Sequence, residues 1–388
     1  MIFKNFADKK LSLLGFGTMR LPTVDGKIDY DETEKLFDEA IKNGVNYFDT
    51  AWPYHSGESE VVTGMILKKY PRDSFYLASK YPGHQTADSY DPEAIFERQL
   101  EKCGVEYFDF YLLHNVNEKS ISVYRDERWG IIDYFLKQKE LGRIRHLGFS
   151  THGSVEMIRE FLDEYGEHME FCQIQHNYLD DTLQNSREKY ELLTERNIPV
   201  IVMEPLRGGK LAKLDDNVES IMNTLRPGCS TASWAFRWLM DFPNVKVILS
   251  GMSNMEQVKD NLETFREADH LSEKEEALLH DVAEGLKNAL PCTSCRYCTD
   301  GCPAGLDIPY LISVYNELKT IPSVIASMRL EALDSDKLPS ACISCGACTT
   351  ICPQNIDIPT ALSELNGMVE SSPSWDEICR KRAAEQQW

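Results

Sequence analysis

Residues Tyr47 to His55 read Tyr-Phe-Asp-Thr-Ala-Trp-Pro-Tyr-His, so that a carboxylate, Asp49, ends a short apolar run and Tyr54 follows five residues later. Phe75 to Lys80 and Phe108 to His114 have the same form, because each is an apolar run that ends on one polar side chain. Parallel strands of a β/α barrel end at one face, where catalytic residues lie. The pattern therefore predicts one catalytic face shared by four side chains, those of Asp49, Tyr54, Lys80 and His114.

The rest of the first 290 residues alternates strand-like and helical stretches. Helical patterns lie near 123–141, 155–165, 186–196 and 231–241, and a short hairpin is predicted over residues 1–13. Strands that alternate with helices are typical of a parallel sheet with crossover connections. The predicted fold class is therefore α/β, a (β/α)8 TIM barrel. Its other five strands are expected at Leu13 to Met19, Ile144 to Ser150, Phe171 to Gln175, Val200 to Glu204 and Val245 to Ser250.

Three motifs together resemble the catalytic tetrad of the aldo-keto reductase superfamily: Asp49-Thr50-Ala51-x-x-Tyr54, Leu77-Ala78-Ser79-Lys80 and Leu112-Leu113-His114. The resemblance runs from about Leu13 to Asn261. It implies hydride transfer between a nicotinamide and a carbonyl carbon. Tyr54 would act as the acid, with its pKa lowered by the Lys80 ammonium. Asp49 would hold Lys80 charged, and a neutral His114 would orient the carbonyl.

The resemblance also implies a site for NAD(H) or NADP(H). Ser150, Thr151 and Gln173 are expected at the nicotinamide carboxamide, and Met203 stands where many relatives stack an aromatic ring on the nicotinamide. The remaining expected contacts are Gly17, Thr18 and Met19 at the end of the predicted first strand, Pro205, Leu206 and Gly208 along the pyrophosphate, and Ser250, Gly251, Ser253, Gln257 and Asn261 at the adenosine end.

The adenosine segment carries two further expectations. Relatives that prefer NADPH often have Lys and Arg where this chain has Gly251 and Gln257, so NADH is expected to bind at least as well as NADPH. Ser253 and Glu256 have the spacing of a capping box, which would start a helix beside the ligand.

Eight of the twelve cysteines lie in two matching runs after Pro291, each with the pattern CxxCxxCxxxCP. This is the spacing of bacterial two-cluster ferredoxins, in which three cysteines of one run and the last of the other hold each [4Fe-4S] cluster. On that rule the first cluster is held by Cys292, Cys295, Cys298 and Cys352, and the second by Cys342, Cys345, Cys348 and Cys302. The alternative is a pair of four-cysteine zinc sites.

Two domains are therefore expected: an aldo-keto reductase barrel over residues 1–290, and a mainly helical, ferredoxin-like domain with a C-terminal tail over residues 291–388. A capping box at Ser272 and Glu275 is expected to start the last helix before this boundary.

Composition limits the partners. The formal net charge of −21 argues against a nucleic-acid partner, because phosphate binding needs a basic surface. No signal peptide is expected, because Met1 to Lys10 mixes charged residues into a short apolar segment, and no apolar run approaches the length of a membrane span. We expect a soluble, cytoplasmic protein, and the two clusters favour an anaerobic bacterium or archaeon as its source.

The function predicted from these patterns is that of a nicotinamide-dependent reductase or dehydrogenase of a small carbonyl or alcohol substrate. If the clusters carry electrons, an external ferredoxin or flavodoxin is the expected partner. Two alternatives stay open. One is an electron-transfer protein that uses the barrel as a docking body, and the other is a reductase whose clusters are purely structural.

Overall fold

Eight parallel strands close into a barrel, which confirms the predicted fold class. We analysed a computed structural model that describes residues 1–287, 289–320 and 324–386. The eighth strand pairs with the first and so completes the ring. Numbered one to eight in chain order, the barrel strands are Leu14–Gly17, Tyr47–Asp49, Tyr76–Tyr81, Phe108–Leu113, Ile144–Thr151, Cys172–Gln175, Val200–Met203 and Val245–Gly251.

The barrel interior is filled with apolar side chains. Phe110, Phe171 and Ile201 are among the inward-facing residues of the strands. The predicted N-terminal hairpin, Phe3–Phe6 paired with Lys9–Ser12, caps the end where the strands begin. The Phe6 ring lies 5.2 Å from Phe110 and 6.1 Å from Phe171, measured between ring centroids. One end of the barrel is therefore sealed, and the other is left for a site.

The helices of the barrel begin where local sequence predicts. The Asp29 carboxylate accepts a hydrogen bond from the backbone of Glu32, and Asp91 accepts one from Ala94 in front of a first-turn proline. The expected capping box at Ser272 is present. The helices up to residue 286 are Tyr30–Lys42, Glu58–Leu67, Pro92–Cys103, Ile121–Arg125, Ile131–Glu140, Val155–Tyr165, Asp180–Leu183, Ser186–Glu195, Asp216–Leu225, Thr231–Met240, Met255–Thr264 and Glu273–Leu286.

Two local expectations were wrong. The helical pattern near 123–141 is broken into two helices, because Gly130 adopts a left-handed conformation (φ 55°) immediately before the second. The helix after strand eight is capped by Asn254, whose side chain accepts from the Gln257 N–H, and not by Ser253. The Ser253 hydroxyl instead donates to the carbonyl oxygen of Arg20 (2.6 Å).

The region after residue 290 is mainly helical, as predicted, and it repeats. Helix Tyr297–Asp300 lies within the first cysteine run and Ile308–Thr320 follows it. Helix Ala347–Ile351 lies within the second run and Ile358–Glu370 follows that run. Equivalent helices pack against each other over a shared apolar core. Two more helices, Val324–Glu331 and Trp375–Gln386, pack together through Met328, Trp375 and Cys379. None of the helices in the described ranges is long and apolar enough to cross a membrane.

Candidate active site and cluster sites

The carboxyl ends of strands two, three and four bring the four predicted catalytic side chains together. The Lys80 ammonium lies 2.6 Å from Asp49 Oδ1, 2.7 Å from the Thr50 carbonyl oxygen and 3.4 Å from the Tyr54 hydroxyl. The rings of Tyr54 and His114 meet edge to face, with centroids 6.1 Å apart. Lys80 and Asp49 are buried, whereas Tyr54 and His114 are half-buried. The protonated amine is thus fixed beside a phenol at the rim of the site.

A buried polar network holds the Lys80 strand in place. The Gln99 amide donates to the Lys80 carbonyl oxygen (3.0 Å) and to Glu60 Oε1 (2.6 Å). Ser79 donates to the same Glu60 oxygen (2.6 Å), and the Tyr111 hydroxyl donates to the Gln99 carbonyl (2.5 Å). Buried polar groups that satisfy one another fix a single geometry, so the position of Lys80 is set by its surroundings.

The effect of burial on the pKa of Tyr54 is larger than the opposing effect of Lys80. Burial raises the pKa of Tyr54 above its usual value, and the Lys80 ammonium opposes this only in part. Burial also acts to lower the pKa of Lys80, but the interactions with Asp49 and then Tyr54 prevail, and the Lys80 pKa is raised. At neutral pH the site therefore presents a protonated phenol beside a protonated amine. Lys80 acts on the Tyr54 pKa in the predicted direction, but the pKa is not lowered overall, because desolvation exceeds the stabilisation by one neighbouring cation.

His114 is neutral, as expected. Burial holds its pKa well below the usual range, with smaller contributions from His84 and Lys80. The His84 ring lies 4.2 Å from the His114 ring, and burial lowers the pKa of His84 to about 3. In the described part of the chain, Nδ1 of each ring is buried without a hydrogen-bond partner. Each neutral ring can therefore donate a hydrogen bond to a ligand, or accept one from it.

The side chains expected at the carboxamide lie at the ends of strands five and six. Ser150 accepts a hydrogen bond from the Asn115 N–H (2.8 Å), and Thr151 accepts one from the Gly153 N–H (2.9 Å). Each hydroxyl keeps a proton to donate. Gln173 is buried, and its Oε1 finds no partner in the described residues. A buried amide oxygen without a partner is costly, so this arrangement fits a ligand amide. Met203 lies half-buried at the end of strand seven.

The residues expected at the phosphates surround a cation that sequence analysis did not assign to the site. Arg20 lies against Gly251, and a β-carbon on Gly208 would come within 2.8 Å of its guanidinium. Ser253 is bound to the Arg20 backbone, and the Asn261 amide donates to Ser250 (2.9 Å). Arg20 thus joins the pyrophosphate and adenosine loops.

The remaining predicted contacts differ in exposure. Met19 is exposed and Gly17 ends strand one, but Thr18 is buried. The Thr18 hydroxyl donates to the Asp49 carbonyl oxygen (3.0 Å) and shares a hydrogen bond with the hydroxyl of Ser59 (2.7 Å). Thr18 therefore holds the backbone of Asp49 in place. Gln257 accepts a hydrogen bond from the Ser253 N–H. In the loop before Gly208, Pro205 is buried and Leu206 is half-buried.

A model of the aldo/keto reductase family matches residues 13–284, which is most of the chain. The chain belongs to the aldo/keto reductase family. It is 27% identical over 326 residues to the NADH-specific methylglyoxal reductase of Escherichia coli, covering 72% of this chain and 97% of the relative. It is 24% identical over 305 residues to the L-galactose dehydrogenase of Arabidopsis thaliana, covering 72% of this chain and 92% of that one.

Solved aldo-keto reductases share the fold. The holo form from Bacillus halodurans aligns with a TM-score of 0.59 and 24% identity, over 73% of this chain and 96% of that one. The enzyme from Klebsiella pneumoniae in complex with NADPH aligns with a TM-score of 0.57 and 22% identity, over the same shares of the two chains. Both likenesses leave about a quarter of this reductase unmatched.

A second model, that of a 4Fe-4S dicluster domain, matches residues 291–356 of this aldo-keto reductase. The structure gathers the cysteines around two cavities. The first is lined by Cys292, Cys295, Cys298 and Cys352, and the second by Cys302, Cys342, Cys345 and Cys348. These are the two crossed sets that the ferredoxin rule predicts.

The two sets of four thiols, in a region matched by a 4Fe-4S dicluster model, suit [4Fe-4S] clusters. Four thiolates on one zinc ion at about 2.3 Å lie within roughly 4 Å of one another. A cube carries its four cysteines on separate iron atoms, so its ligands are farther apart. In the described ranges, no three His, Cys, Asp or Glu side chains are close enough to hold a single metal ion. All twelve cysteines are free thiols, which leaves the eight of the two runs available as ligands.

The cluster region also contacts the reductase barrel near its catalytic face, which sequence analysis missed. The Glu317 carboxylate accepts from the Gln184 amide (2.6 Å) and pairs with Arg207 (3.8 Å). The Trp375 indole donates to the His84 carbonyl oxygen (3.1 Å). These partners lie more than 100 residues apart in the chain, and no local pattern could have paired them. Of these contact residues, only His84 could have been suspected from the sequence, because it follows the end of strand three.

Proposed function

We propose that this protein is a nicotinamide-dependent reductase of small carbonyl compounds, able to oxidise the corresponding alcohols, with Asp49, Tyr54, Lys80 and His114 as its catalytic residues. The observation that carries the proposal is the buried Lys80 ammonium, held 2.6 Å from Asp49 and 3.4 Å from the Tyr54 hydroxyl. Tyr54 is the proton donor in reduction, and neutral His114 donates a hydrogen bond to the same carbonyl oxygen.

Lys80 and Asp49 act on Tyr54 through charge and position. The Thr50 carbonyl oxygen and Asp49 both bind the ammonium, which leaves it directed at the phenol oxygen. As Tyr54 gives up its proton, the adjacent cation stabilises the phenolate that forms. When bound, the nicotinamide supplies the hydride, and Ser150, Thr151 and Gln173 would hold its carboxamide. The E. coli relative is NADH-specific and the K. pneumoniae structure holds NADPH. The proposed cofactor is therefore NAD(H) or NADP(H).

We place the boundary between the reductase barrel and the ferredoxin-like domain at residues 290 and 291. The cysteines of the first cavity would hold one [4Fe-4S] cluster and those of the second cavity the other. When bound, such clusters supply one-electron chemistry at potentials set by their surroundings.

Exposure of the clusters' ligands favours a redox role over a purely structural one. Cys295 and Cys345 are exposed, and the neighbouring side chains of Tyr297, Ile343 and Ile351 are exposed although apolar. Helix Ile308–Thr320 lines the first cavity at one end and reaches Arg207 of the barrel through Glu317. A purely structural cluster does not need exposed apolar side chains around it, whereas an external ferredoxin or flavodoxin could dock on them.

The test of function is anaerobic purification followed by assays of NADH and NADPH oxidation with a panel of aldehydes, ketones and oxo acids. Turnover of any carbonyl substrate supports the reductase. Bound nicotinamide without turnover of any substrate, together with reduction of the clusters by an external carrier, would support the rival electron-transfer protein.

The redox role needs a separate measurement. The clusters are first reduced with dithionite to define their electron paramagnetic resonance signal. NADH, or an oxidisable alcohol together with NAD⁺, then replaces dithionite, so that the two electrons of one hydride could reduce the two clusters by one electron each. Appearance of the signal supports redox participation. If neither donor produces it, and Cys345→Ser lowers stability without changing turnover per folded molecule, the clusters are structural.

A further inference from the structure

The C-terminal helix Trp375–Gln386 covers the catalytic face. Trp375 is buried, its indole N–H donates to the His84 carbonyl oxygen (3.1 Å), and its ring centroid lies 5.7 Å from that of His84. His84 in turn lies 4.2 Å from His114. A segment from the far end of the chain therefore forms a wall next to the proposed catalytic histidine.

Contacts on both sides fix this helix to the barrel. Ser56 donates to Glu385 (3.1 Å), and Thr86 donates to Asp376 (2.7 Å). Lys119 lies 2.8 Å from both Asp376 and Glu331. Asp376 and Glu385 of this helix are thus bound by side chains of the barrel.

Arg382 differs from these carboxylates, because its charge has no ion-pair partner within the described ranges. Its guanidinium carbon lies 5.3 Å from the centre of the Trp375 ring, and the residue is half-buried. Among the described residues, no carboxylate forms an ion pair with it. After burial itself, the Arg382 charge is the next largest influence that lowers the pKa of His84, and it also lowers that of His114. Arg382 packs on Trp375, Trp375 packs on His84, and His84 packs on His114, so the cation belongs to one row of side chains that ends at the proposed catalytic histidine.

His84, in contact with the same tryptophan, offers an unsatisfied polar atom. His84 is 7% exposed and its Nδ1 has no partner in the described part of the chain. The Lys80 charge is already neutralised by Asp49. A guanidinium held against an aromatic ring, without a counter-ion, favours binding of an anion, and its planar fork matches a carboxylate with two hydrogen bonds. The cofactor phosphates are not that anion, since their expected loops follow strands seven and eight on the opposite side of the barrel.

We propose that Arg382 is a substrate-recognition residue that binds the carboxylate of the substrate, so that the preferred substrates are oxo acids and other carbonyl compounds with a carboxylate. The inference rests on the proposed function and makes its substrate class more specific. Tyr54 and His114 would hold the carbonyl oxygen while Arg382 holds the acid group. The ferredoxin-like domain would then supply substrate specificity to the barrel in addition to its clusters.

The test compares matched acids and neutral analogues in the full-length holoprotein. The pairs are 4-carboxybenzaldehyde with methyl 4-formylbenzoate, and pyruvate with pyruvamide. The wild-type protein is expected to prefer the acid in at least one pair by roughly tenfold or more in kcat/KM. Arg382→Met should reduce kcat/KM for that acid by roughly 30-fold, mainly through KM, and change the neutral partner less than about threefold. Arg382→Lys should restore part of the loss.

Arg380→Met is the matched control, because Arg380 lies on the same helix but is exposed. It should leave both kinetic constants unchanged, and thermal melts should show that all variants fold. Equal loss on acid and neutral substrates in Arg382→Met, or no acid preference in the wild type, would overturn the proposal.

A binding measurement separates this inference from the proposed function. Calorimetric titration of the holoprotein with terephthalate, against terephthalamide as the neutral control, should show binding that Arg382→Met abolishes. If no carbonyl compound is reduced but this binding and its loss are observed, the anion site stands and the reductase function fails. If turnover occurs but terephthalate binds the wild type and Arg382→Met equally, Arg382 does not recognise the acid group.

Discussion

The Lys80 ammonium lies 2.6 Å from Asp49 Oδ1, and both side chains are withdrawn from solvent. A buried ion pair of this kind adds little net stability compared with an apolar pair, but loss of one partner leaves the other charge buried alone. Asp49 and Lys80 come from neighbouring strands, so the pair also fixes strand two against strand three at the catalytic face.

The first prediction follows from this pair. Lys80→Met should destabilise the protein by about 3–5 kcal/mol, because the Asp49 carboxylate would remain buried without a cation. The double variant with Asp49→Asn should recover most of that loss. Urea unfolding followed by circular dichroism measures both. Lys137→Met, which removes an exposed pair with Glu140, is the control and should cost less than about 1 kcal/mol. A single variant as stable as the double would contradict the buried-charge argument.

Tyr54→Phe tests the proton donor. Loss of a general acid typically costs about 10²-fold or more in rate, whereas nicotinamide binding should remain nearly intact because the hydroxyl faces the carbonyl. Steady-state carbonyl reduction and a fluorescence titration with NADH measure the two effects. Turnover near that of the wild type would remove Tyr54 from the mechanism.

The pH dependence should differ between the two directions. Burial raises the pKa of Tyr54, so the phenol stays protonated through neutral pH, and reduction should be constant there and decline only as pH rises through the raised value. Alcohol oxidation needs the phenolate and should rise with pH over the same alkaline range. His114 stays neutral because its pKa is lowered. An ionisation between about pH 6 and 8 in the reduction rate, the range of an ordinary histidine, would contradict this assignment if His114→Gln removed it.

Arg20 is expected to bind the cofactor through its phosphates. It lies against the loops of both Gly208 and Gly251, so Arg20→Gln should weaken NADH and NADPH alike, by roughly tenfold or about 1.4 kcal/mol. Lys259→Gln, which alters an exposed cation on the next helix, serves as the control. A loss confined to NADPH would place Arg20 at the 2′-phosphate, and a wild-type preference for NADPH would then overturn the expectation that NADH binds at least as well.

The crossed cysteine sets predict the iron content of double variants. Cys292→Ser with Cys352→Ser removes two ligands of one cavity, so about four of roughly eight irons should remain. Cys342→Ser with Cys352→Ser removes one ligand from each cavity, and both clusters should be lost or weakened. Iron analysis of anaerobically purified protein distinguishes them. The reverse ranking would show that each run holds its own cluster.

Sequence alone determined the barrel and its strands, and it also located the proposed tetrad and the proposed cluster ligands. These features are written in local patterns, since an apolar run that ends on Asp49 or Lys80 specifies both a strand and the side chain at its end. The doubled cysteine spacing likewise predicts two crossed sets, and the tertiary structure places Cys352 with Cys292 as the spacing predicts.

Only the tertiary structure decided the direction in which the Tyr54 pKa is shifted and the position of the C-terminal helix over the site. The direction of the Tyr54 pKa shift depends on how much solvent the fold removes, which no motif records. Likewise, Trp375 meets His84 across 291 residues, and Arg20 meets Gly208 through loops that follow different strands. Such contacts arise from chain topology and packing, because side chains distant in sequence become neighbours only after the barrel has closed and the C-terminal helix has docked on it.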